Sequence, residues 1–130
     1  MKLLLILLLS SVYLFSSEAF ISSSDLREQM PKKNLVILDT TNPDTFDKGH
    51  IPGALRADIS DFRHSVDAYQ LMNSSKTIET VARSLGIDND SIVVIYGHNQ
   101  PKELLKASYI ALSLITNGFE NVSILNGGYA

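Results

Sequence analysis

The sequence predicts an α/β fold in which an open, mainly parallel sheet carries helices on both faces. Two apolar runs, Leu35–Leu38 and Ile92–Tyr96, do not alternate with polar residues and are typical of strands buried on both faces of a parallel sheet. Segments with helical spacing alternate with these strands, as in folds whose parallel strands are joined by crossover helices. The chain has 130 residues, of which 45% are hydrophobic and 19% charged, and such values are typical of one globular domain.

The first residues have the order of a secretory signal peptide. Lys2 is followed by the unbroken aliphatic run Leu3–Leu9, and small residues precede a cleavage position after Ala19. Two serines interrupt the apolar stretch, which is shorter than the roughly 20 residues that a membrane-spanning helix requires. We therefore predict a signal peptide over residues 1–19 and an exported domain, periplasmic or secreted, over residues 20–130.

The charge pattern excludes two classes of partner. The net charge is −3, and it remains −3 without residues 1–19 because Lys2 and Glu18 are removed together. A mildly acidic chain with scattered lysines lacks the clustered basic surface that nucleic acid or an anionic membrane requires. We expect neither as a partner after signal cleavage. The chain contains no cysteine, so the exported domain has no disulfide and its stability must come from packing.

The first elements follow from capping residues and apolar runs. Ser24 is suited to cap a short helix that continues to Met30 and is ended by Pro31. The strand Leu35–Leu38 stops at Asp39. These signals predict a helix followed by the first central strand.

The next segment contains turns and short elements. The turn-rich stretch 40–44 leads into a short helix that carries Phe46, and Gly49–Ala54 contains two glycines around a proline, which predicts a tight backbone path. We expect a short strand over Leu55–Ile59. The mixed spacing from Asp58 to Met72 predicts helical turns and loop.

The second half alternates helices and strands more clearly. From Ser75, apolar residues recur at helical spacing up to Leu85, and Gly86 follows where a left-handed cap ends a helix. After the strand Ile92–Tyr96, Pro101 suits the first position of a helix that runs to about Thr116. We expect the buried face of this helix to consist of Leu104, Leu105, Ser108, Ala111, Leu112 and Ile115. A last strand, Val122–Leu125, then precedes Gly127 and Gly128.

The loop from Gly97 to Lys102 is the first candidate for a binding site. In open α/β sheets ligands bind beyond the carboxyl ends of the strands, often at a helix N-terminus. The residues that offer binding groups for a small anion or a partner protein are His98, Asn99, Gln100 and Lys102. The alternative is that Gln100 or Asn99 only caps the helix before Pro101.

Five segments, in order and spacing, resemble the rhodanese family. They are Leu35–Asp39, Gly49–Ala54, Val93–Tyr96, Gly118–Val122 and Leu125–Gly128. The resemblance spans roughly residues 34 to 128, and its most specific part is the hexapeptide Gly-His-Ile-Pro-Gly-Ala after a strand that ends in Asp. The residues that carry the structural fingerprint of the family are Asp39, Gly49, His50, Pro52, Gly53, Gly127 and Gly128.

Within the family the chain is most similar to the first half of two-domain thiosulfate or 3-mercaptopyruvate sulfurtransferases. Ala57–Ile59 and Leu85–Asp90 match segments of that half, which is typically non-catalytic. Catalytic rhodanese domains place their cysteine nucleophile directly after the strand that corresponds to Val93–Tyr96, and that position here is Gly97. The family often has Asp-x-Arg at the end of the first strand, whereas here Asp39 is followed by two threonines.

The missing cysteine determines which chemistry is excluded. Sulfur transfer stores a sulfur atom on a thiolate as a persulfide, and neither glycine nor the thioether of methionine can replace that thiolate. We therefore expect no catalytic residue in this chain, with the catalytic cysteine in a second rhodanese domain of the same parent protein. The resemblance also implies that the domain is incomplete after Ala130, because family members continue past the paired glycines into a further helix.

The sequence also allows two alternative functions. The chain is alternatively a stand-alone binding or regulatory module that uses the loop Gly97–Lys102, or an enzyme with unfamiliar chemistry at Asp39 and His50. Hydrogen bonding within turns is the simpler role for both residues. The three histidines are too scattered for a metal motif, so we expect no metal and no cofactor.

Overall fold

The computed structural model describes residues 19–129, which fold around a five-stranded parallel sheet. The predicted signal peptide lies outside the described residues except for Ala19. In chain order the strands and helices are β1 (Phe20–Ile21), α1 (Ser23–Gln29), β2 (Leu35–Asp39), α2 (Pro43–Lys48), β3 (Leu55–Arg56), β4 (Arg63–Val66), β5 (Tyr69–Met72), α3 (Ser75–Ser84), β6 (Ile92–Tyr96), α4 (Pro101–Thr116) and β7 (Val122–Leu125).

The sheet has the order β1-β7-β6-β2-β3, with the two longest apolar runs side by side at its centre. Strands β2 and β6 pair in parallel, so that Leu38 lies beside Ile95 and Asp39 beside Tyr96. Every strand pair within this sheet is parallel. The predicted α/β fold class is therefore confirmed, and both central strands end at the same edge.

Alternate residues of β6 point into two separate hydrophobic clusters, one on each face of the sheet. Val93 and Ile95 pack with residues of α3 and α4 on one face. Val94 and Tyr96 pack on the other face with Leu26 of α1 and with residues around α2. Helices therefore cover both faces, as the unalternating apolar strands predict.

The structure corrects the start of the first helix. Helix α1 begins at Ser23, and its N-cap is Ser22, whose Oγ accepts a hydrogen bond from the backbone N–H of Asp25 at 3.1 Å. The predicted cap, Ser24, lies inside the helix. Three consecutive serines precede Asp25, so composition alone does not distinguish the capping position from its neighbours.

The segment after the hexapeptide differs most from the prediction. Only Leu55–Arg56 forms a strand, because the Asp58 side chain accepts hydrogen bonds from Ser60 and starts a 3₁₀ turn over Ile59–Asp61. Residues 63–72 form an antiparallel hairpin instead of helical turns and loop. Asp67, in the hairpin turn, has a φ of 52°, a conformation that aspartate tolerates better than most residues.

Helix α4 faces the core with a different side from the predicted one. Its buried residues are Ala107, Ile110, Ala111, Ser113 and Leu114. Of the predicted face only Ala111 is buried, whereas Leu104, Leu105, Leu112 and Ile115 are 47%, 70%, 52% and 50% exposed. Ser108 lies between these four positions on the helical surface and is partly exposed. The helix is thus apolar on two sides, and the second side faces solvent.

Helix α3 begins and ends where the sequence predicts, with Gly86 at a φ of 79° directly after it. Among residues 19–129, no helix combines the length and the apolar character needed to cross a membrane.

Candidate functional site

The shared carboxyl edge of β2 and β6 holds a buried polar group. Asp39 is 1% exposed, and its Oδ1 accepts hydrogen bonds from the backbone N–H of Thr41, at 2.8 Å, and from the Thr41 hydroxyl. Its Oδ2 has no hydrogen-bond partner among the described residues. Burial, together with this nearby carboxylate, raises the pKa of the Tyr96 hydroxyl above its ordinary value.

The hydroxyl of Tyr96 links the central strand to the hexapeptide. It accepts a hydrogen bond from the backbone N–H of Ile51 at 2.9 Å. Nδ1 of His50 lies 2.8 Å from the carbonyl oxygen of Phe46, and the imidazole stacks on the Phe46 ring with their centroids 3.8 Å apart. These contacts give His50 a role in holding the turn against α2.

Gly97 occupies the position at which the resemblance to the rhodanese family places the nucleophile, and neighbouring atoms enclose it. A Cβ atom at this position would lie 2.8 Å from the Cβ of Glu103 and 2.9 Å from the Oγ1 of Thr40. Real Cβ atoms do not make such short contacts with neighbouring heavy atoms. The start of α4 therefore leaves room for glycine and for no side chain.

The end of the described chain closes the opposite side of this loop. The backbone N–H of Tyr129 donates to the carbonyl oxygen of Gly97 at 2.8 Å, and a Cβ on Gly128 would lie 2.6 Å from that same oxygen. Gly127 and Gly128 have positive φ angles of 84° and 63°. The paired glycines thus bring the chain back against the loop after β6.

The expected side-chain cap of α4 is absent. Gln100 occupies the N-cap position, but its side chain makes no capping hydrogen bond. The backbone amides of Glu103 and Leu104 donate to the carbonyl oxygen of Gln100, and Pro101 has no N–H. Neither alternative for a polar cap, Gln100 or Asn99, is therefore realised.

Three of the four predicted binding residues come together around cavities. His98, Asn99 and Gln100 line a cavity of about 320 Å³ with Gly97 and the paired glycines. His98 and Gln100 also line a neighbouring cavity of about 190 Å³. Lys102 is exposed and lines neither cavity.

Glu103 is the site residue that sequence reasoning missed. Its side chain is 18% exposed, Oε1 accepts from Nζ of Lys106 at 3.2 Å, and Oε2 is buried without a hydrogen-bond partner among residues 19–129. A glutamate in the first turn of a helix is common because the helix dipole favours it, so the sequence gives no signal for a further role. Within the described residues, no three His, Asp or Glu side chains are grouped to hold a metal ion.

The chain belongs to the rhodanese-like domain family, whose model matches residues 22–130. It is 29% identical over 113 residues to a putative thiosulfate sulfurtransferase of Synechococcus elongatus, a match that covers 85% of this chain and 34% of that protein. The chain spans about a third of the length of the first curated relatives that it matches.

Two solved structures have the same fold. The 3-mercaptopyruvate sulfurtransferase SseA of Escherichia coli superposes with a TM-score of 0.69 at 20% identity, over 88% of this chain and 42% of that chain. A human single-domain sulfurtransferase superposes with a TM-score of 0.58 at 13% identity, over 87% of this chain and 93% of that chain. The chain is thus a rhodanese-like domain related to sulfurtransferases, and it has no cysteine.

Proposed function

We propose that this chain is a non-catalytic rhodanese-like domain of an exported sulfurtransferase of the thiosulfate or 3-mercaptopyruvate type. The observation that carries the proposal is Gly97, which stands at the position of the nucleophile and is enclosed by Thr40 and by the first turn of α4. Transfer of sulfur through a persulfide requires a thiolate, and the chain has no cysteine to supply one. In this proposal the catalytic cysteine belongs to a second rhodanese domain of the parent protein.

The outward side of α4 is where the second domain docks in this proposal. Leu104, Leu105, Leu112 and Ile115 form an apolar stripe about 100° wide on the helix, given the 100° rotation per residue that follows from 3.6 residues per turn. An apolar stripe of this width on a helix usually packs against another element. The greater length of the curated relatives supports a further domain as the occupant.

The partner domain is tested by reading the parent gene beyond codon 130. A second Gly-His-x-Pro-Gly block with a cysteine-containing loop supports the proposal, and a stop codon directly after Ala130 contradicts it. In a two-domain parent the second domain covers the apolar stripe. The double variant Leu105→Lys with Leu112→Lys should therefore lower the unfolding temperature of that parent. The same pair should change the isolated chain little, since both side chains are at least half exposed there.

Export is supported by the order of the first residues, in which Lys2 precedes the aliphatic run Leu3–Leu9. Expression of the complete reading frame should give a processed protein outside the cytoplasm whose amino-terminal residue is Phe20. Recovery of the chain in the cytoplasm with Met1 retained would contradict this part of the proposal.

The rival function is a stand-alone module that binds an anion or a partner protein. The cavity of about 320 Å³ beside the start of α4, where no side chain caps the helix, favours it. Saturable binding of thiosulfate that is lost in His98→Ala with Asn99→Ala would support the rival.

A further inference from the structure

Two Asn-Gly dipeptides occur in the sequence, each directly after a helix or a strand. Asn117–Gly118 follows α4, and Asn126–Gly127 follows β7. An asparagine before glycine is especially prone to deamidation, because glycine has no side chain to hinder attack by its own backbone nitrogen. The two dipeptides are chemically alike, so the structure around each one decides which of them reacts.

Deamidation places two demands on an Asn-Gly dipeptide. The glycine nitrogen attacks the asparagine Cγ, so that an N–Cγ bond forms and the Cγ–Nδ2 bond breaks. The leaving amide departs as ammonia and takes with it the proton of the glycine N–H. Water then adds to either carbonyl of the succinimide ring and gives aspartate or isoaspartate, without an oxidant or a reductant. The glycine N–H must therefore be free, and the carboxamide must be able to turn toward it.

Helix α4 holds both reacting groups of the first dipeptide. Nδ2 of Asn117 donates to the carbonyl oxygen of Ser113 at 2.7 Å. The backbone N–H of Gly118 donates to the carbonyl oxygen of Ile115 at 3.1 Å. Both hydrogen bonds must open before the ring closes, which slows the reaction at this dipeptide.

Neither reacting group of the second dipeptide is held in this way. Asn126 and Gly127 are exposed, and within residues 19–129 neither the Asn126 carboxamide nor the Gly127 N–H makes a hydrogen bond. A Cβ on Gly127 would meet nothing within 4 Å apart from its chain neighbours. Ring closure requires the peptide between the two residues to rotate. The bond that closes this turn, from the Gly128 N–H to the Leu125 carbonyl oxygen, is long at 3.3 Å and opposes the rotation only weakly.

Asn126 lies in the wall of the cavity of about 320 Å³ beside the start of α4. None of the residues that line this cavity is Asp, Glu, Lys or Arg, and His98 is the one titratable side chain among them. An aspartate at position 126 would bring the first carboxylate into the wall and would oppose the anion binding of the rival function. Isoaspartate would also add a carbon to the backbone directly before the paired glycines, where Gly128 has no room for a Cβ beside the carbonyl oxygen of Gly97.

We propose that Asn126–Gly127 is a site of spontaneous deamidation, which places a negative charge in the wall of this cavity, while Asn117–Gly118 is protected by α4. The proposal is independent of the proposed function. It holds for the isolated chain whether or not a second domain carries a cysteine.

The test is incubation of the purified chain in mildly alkaline buffer made with H₂¹⁸O, followed by trypsin digestion and tandem mass spectrometry. Trypsin cuts after Lys106 and releases residues 107–130 as one peptide that contains both dipeptides. We expect Asn126 to be converted about tenfold faster than Asn117, because the latter must first open both of its hydrogen bonds. Incorporation of ¹⁸O at residue 126 identifies hydrolysis of the succinimide. The same incubation in urea is the matched control, in which both dipeptides should react at similar rates.

The charge change has its own readout on an anion-exchange column. The incubated chain should form an acidic species that elutes with Asn126→Asp, and Asn126→Gln should form none over the same time. Conversion of Asn117 as fast as Asn126 in the folded chain would overturn the proposal. So would an unreacted Asn126 in the folded chain when both dipeptides react in urea, or an equal amount of the acidic species from Asn126→Gln.

Discussion

Gly97 lies so close to Glu103 that a Cβ atom at position 97 would be 2.8 Å from the Cβ of Glu103. The contact is with the first side-chain atom of a helical residue, so shortening Glu103 to alanine does not relieve it. The position that carries the nucleophile in catalytic rhodanese domains is thus closed by the helix itself. Restoring a cysteine there has a structural cost.

The first prediction concerns the loss of stability that a side chain at position 97 causes. Gly97→Ala and Gly97→Cys should each lower the free energy of unfolding by about 1–3 kcal/mol, because overpacking a closed site forces its neighbours to move. Most of the loss should already appear with alanine, since the clash is at Cβ. Urea denaturation measures it, with Asn99→Cys as the control that adds a thiol at an exposed position of the same loop. Equal stability of Gly97→Cys and Asn99→Cys would contradict the enclosed site.

The second prediction compares alanine substitutions at the two neighbouring glycines, Gly127 and Gly128. Both have a positive φ, but a Cβ on Gly128 would lie 2.6 Å from the carbonyl oxygen of Gly97, whereas nothing lies within 4 Å of one on Gly127. Gly127→Ala should cost about 1–2 kcal/mol for backbone strain. Gly128→Ala should cost clearly more, because it adds the steric contact. Similar costs by urea denaturation would show that the close approach to Gly97 is unimportant.

Tyr96 gives a prediction about alkaline stability. Burial raises the pKa of its hydroxyl above 10.0, so the folded state keeps this proton more tightly than the unfolded state does. The resulting stabilisation is fully present below pH 10 and is lost as the pH rises above that value toward the folded-state pKa. Unfolding free energies measured between pH 8 and pH 11 should fall less steeply in Tyr96→Phe than in the wild type. Tyr69→Phe, which removes the hydroxyl of a residue that is 72% exposed, should keep the wild-type slope.

Helix α4 gives a prediction that distinguishes its two apolar sides. Leu114 is completely buried and Leu105 is 70% exposed. Leu114→Ala should destabilise the isolated chain by about 2–5 kcal/mol, and Leu105→Ala by less than about 0.5 kcal/mol. Thermal or urea unfolding measures both. A large loss for Leu105→Ala would mean that the outward stripe is covered in the isolated chain.

The sequence is sufficient to predict the two central strands and helix α3, because each of these segments carries signals for only one kind of secondary structure. The unalternating runs at Leu35–Asp39 and Ile92–Tyr96 are short and rich in β-branched residues, which favours buried strands over helices. The helical spacing from Ser75 ends at a glycine. Helix α4 is different, since apolar residues occur on both of its sides and periodicity cannot decide which side faces the sheet. Only the packing of Ile110 and Leu114 under β6 decides it.

The sequence predicts where the candidate site lies, but it predicts only some of the residues that form the site. The loop after β6 is identified because parallel strands carry ligands at their carboxyl ends, and His98 and Gln100 do line cavities there. Glu103 is not identified, because its position beside α2 and the loop after β6 depends on tertiary packing. The hairpin of residues 63–72 is missed for a related reason, since it lies outside the main sheet and its strands are short and largely exposed.

The most direct test of the account is a sulfurtransferase assay on the purified chain, with thiosulfate as sulfur donor and cyanide as acceptor. We predict no thiocyanate formation above a buffer blank, because the chain has no thiolate to hold the sulfur and Gly97 leaves no space for one. A cysteine-containing rhodanese domain assayed in parallel establishes that the conditions support turnover. Thiocyanate formation above the blank that scales with the concentration of this chain would contradict the account.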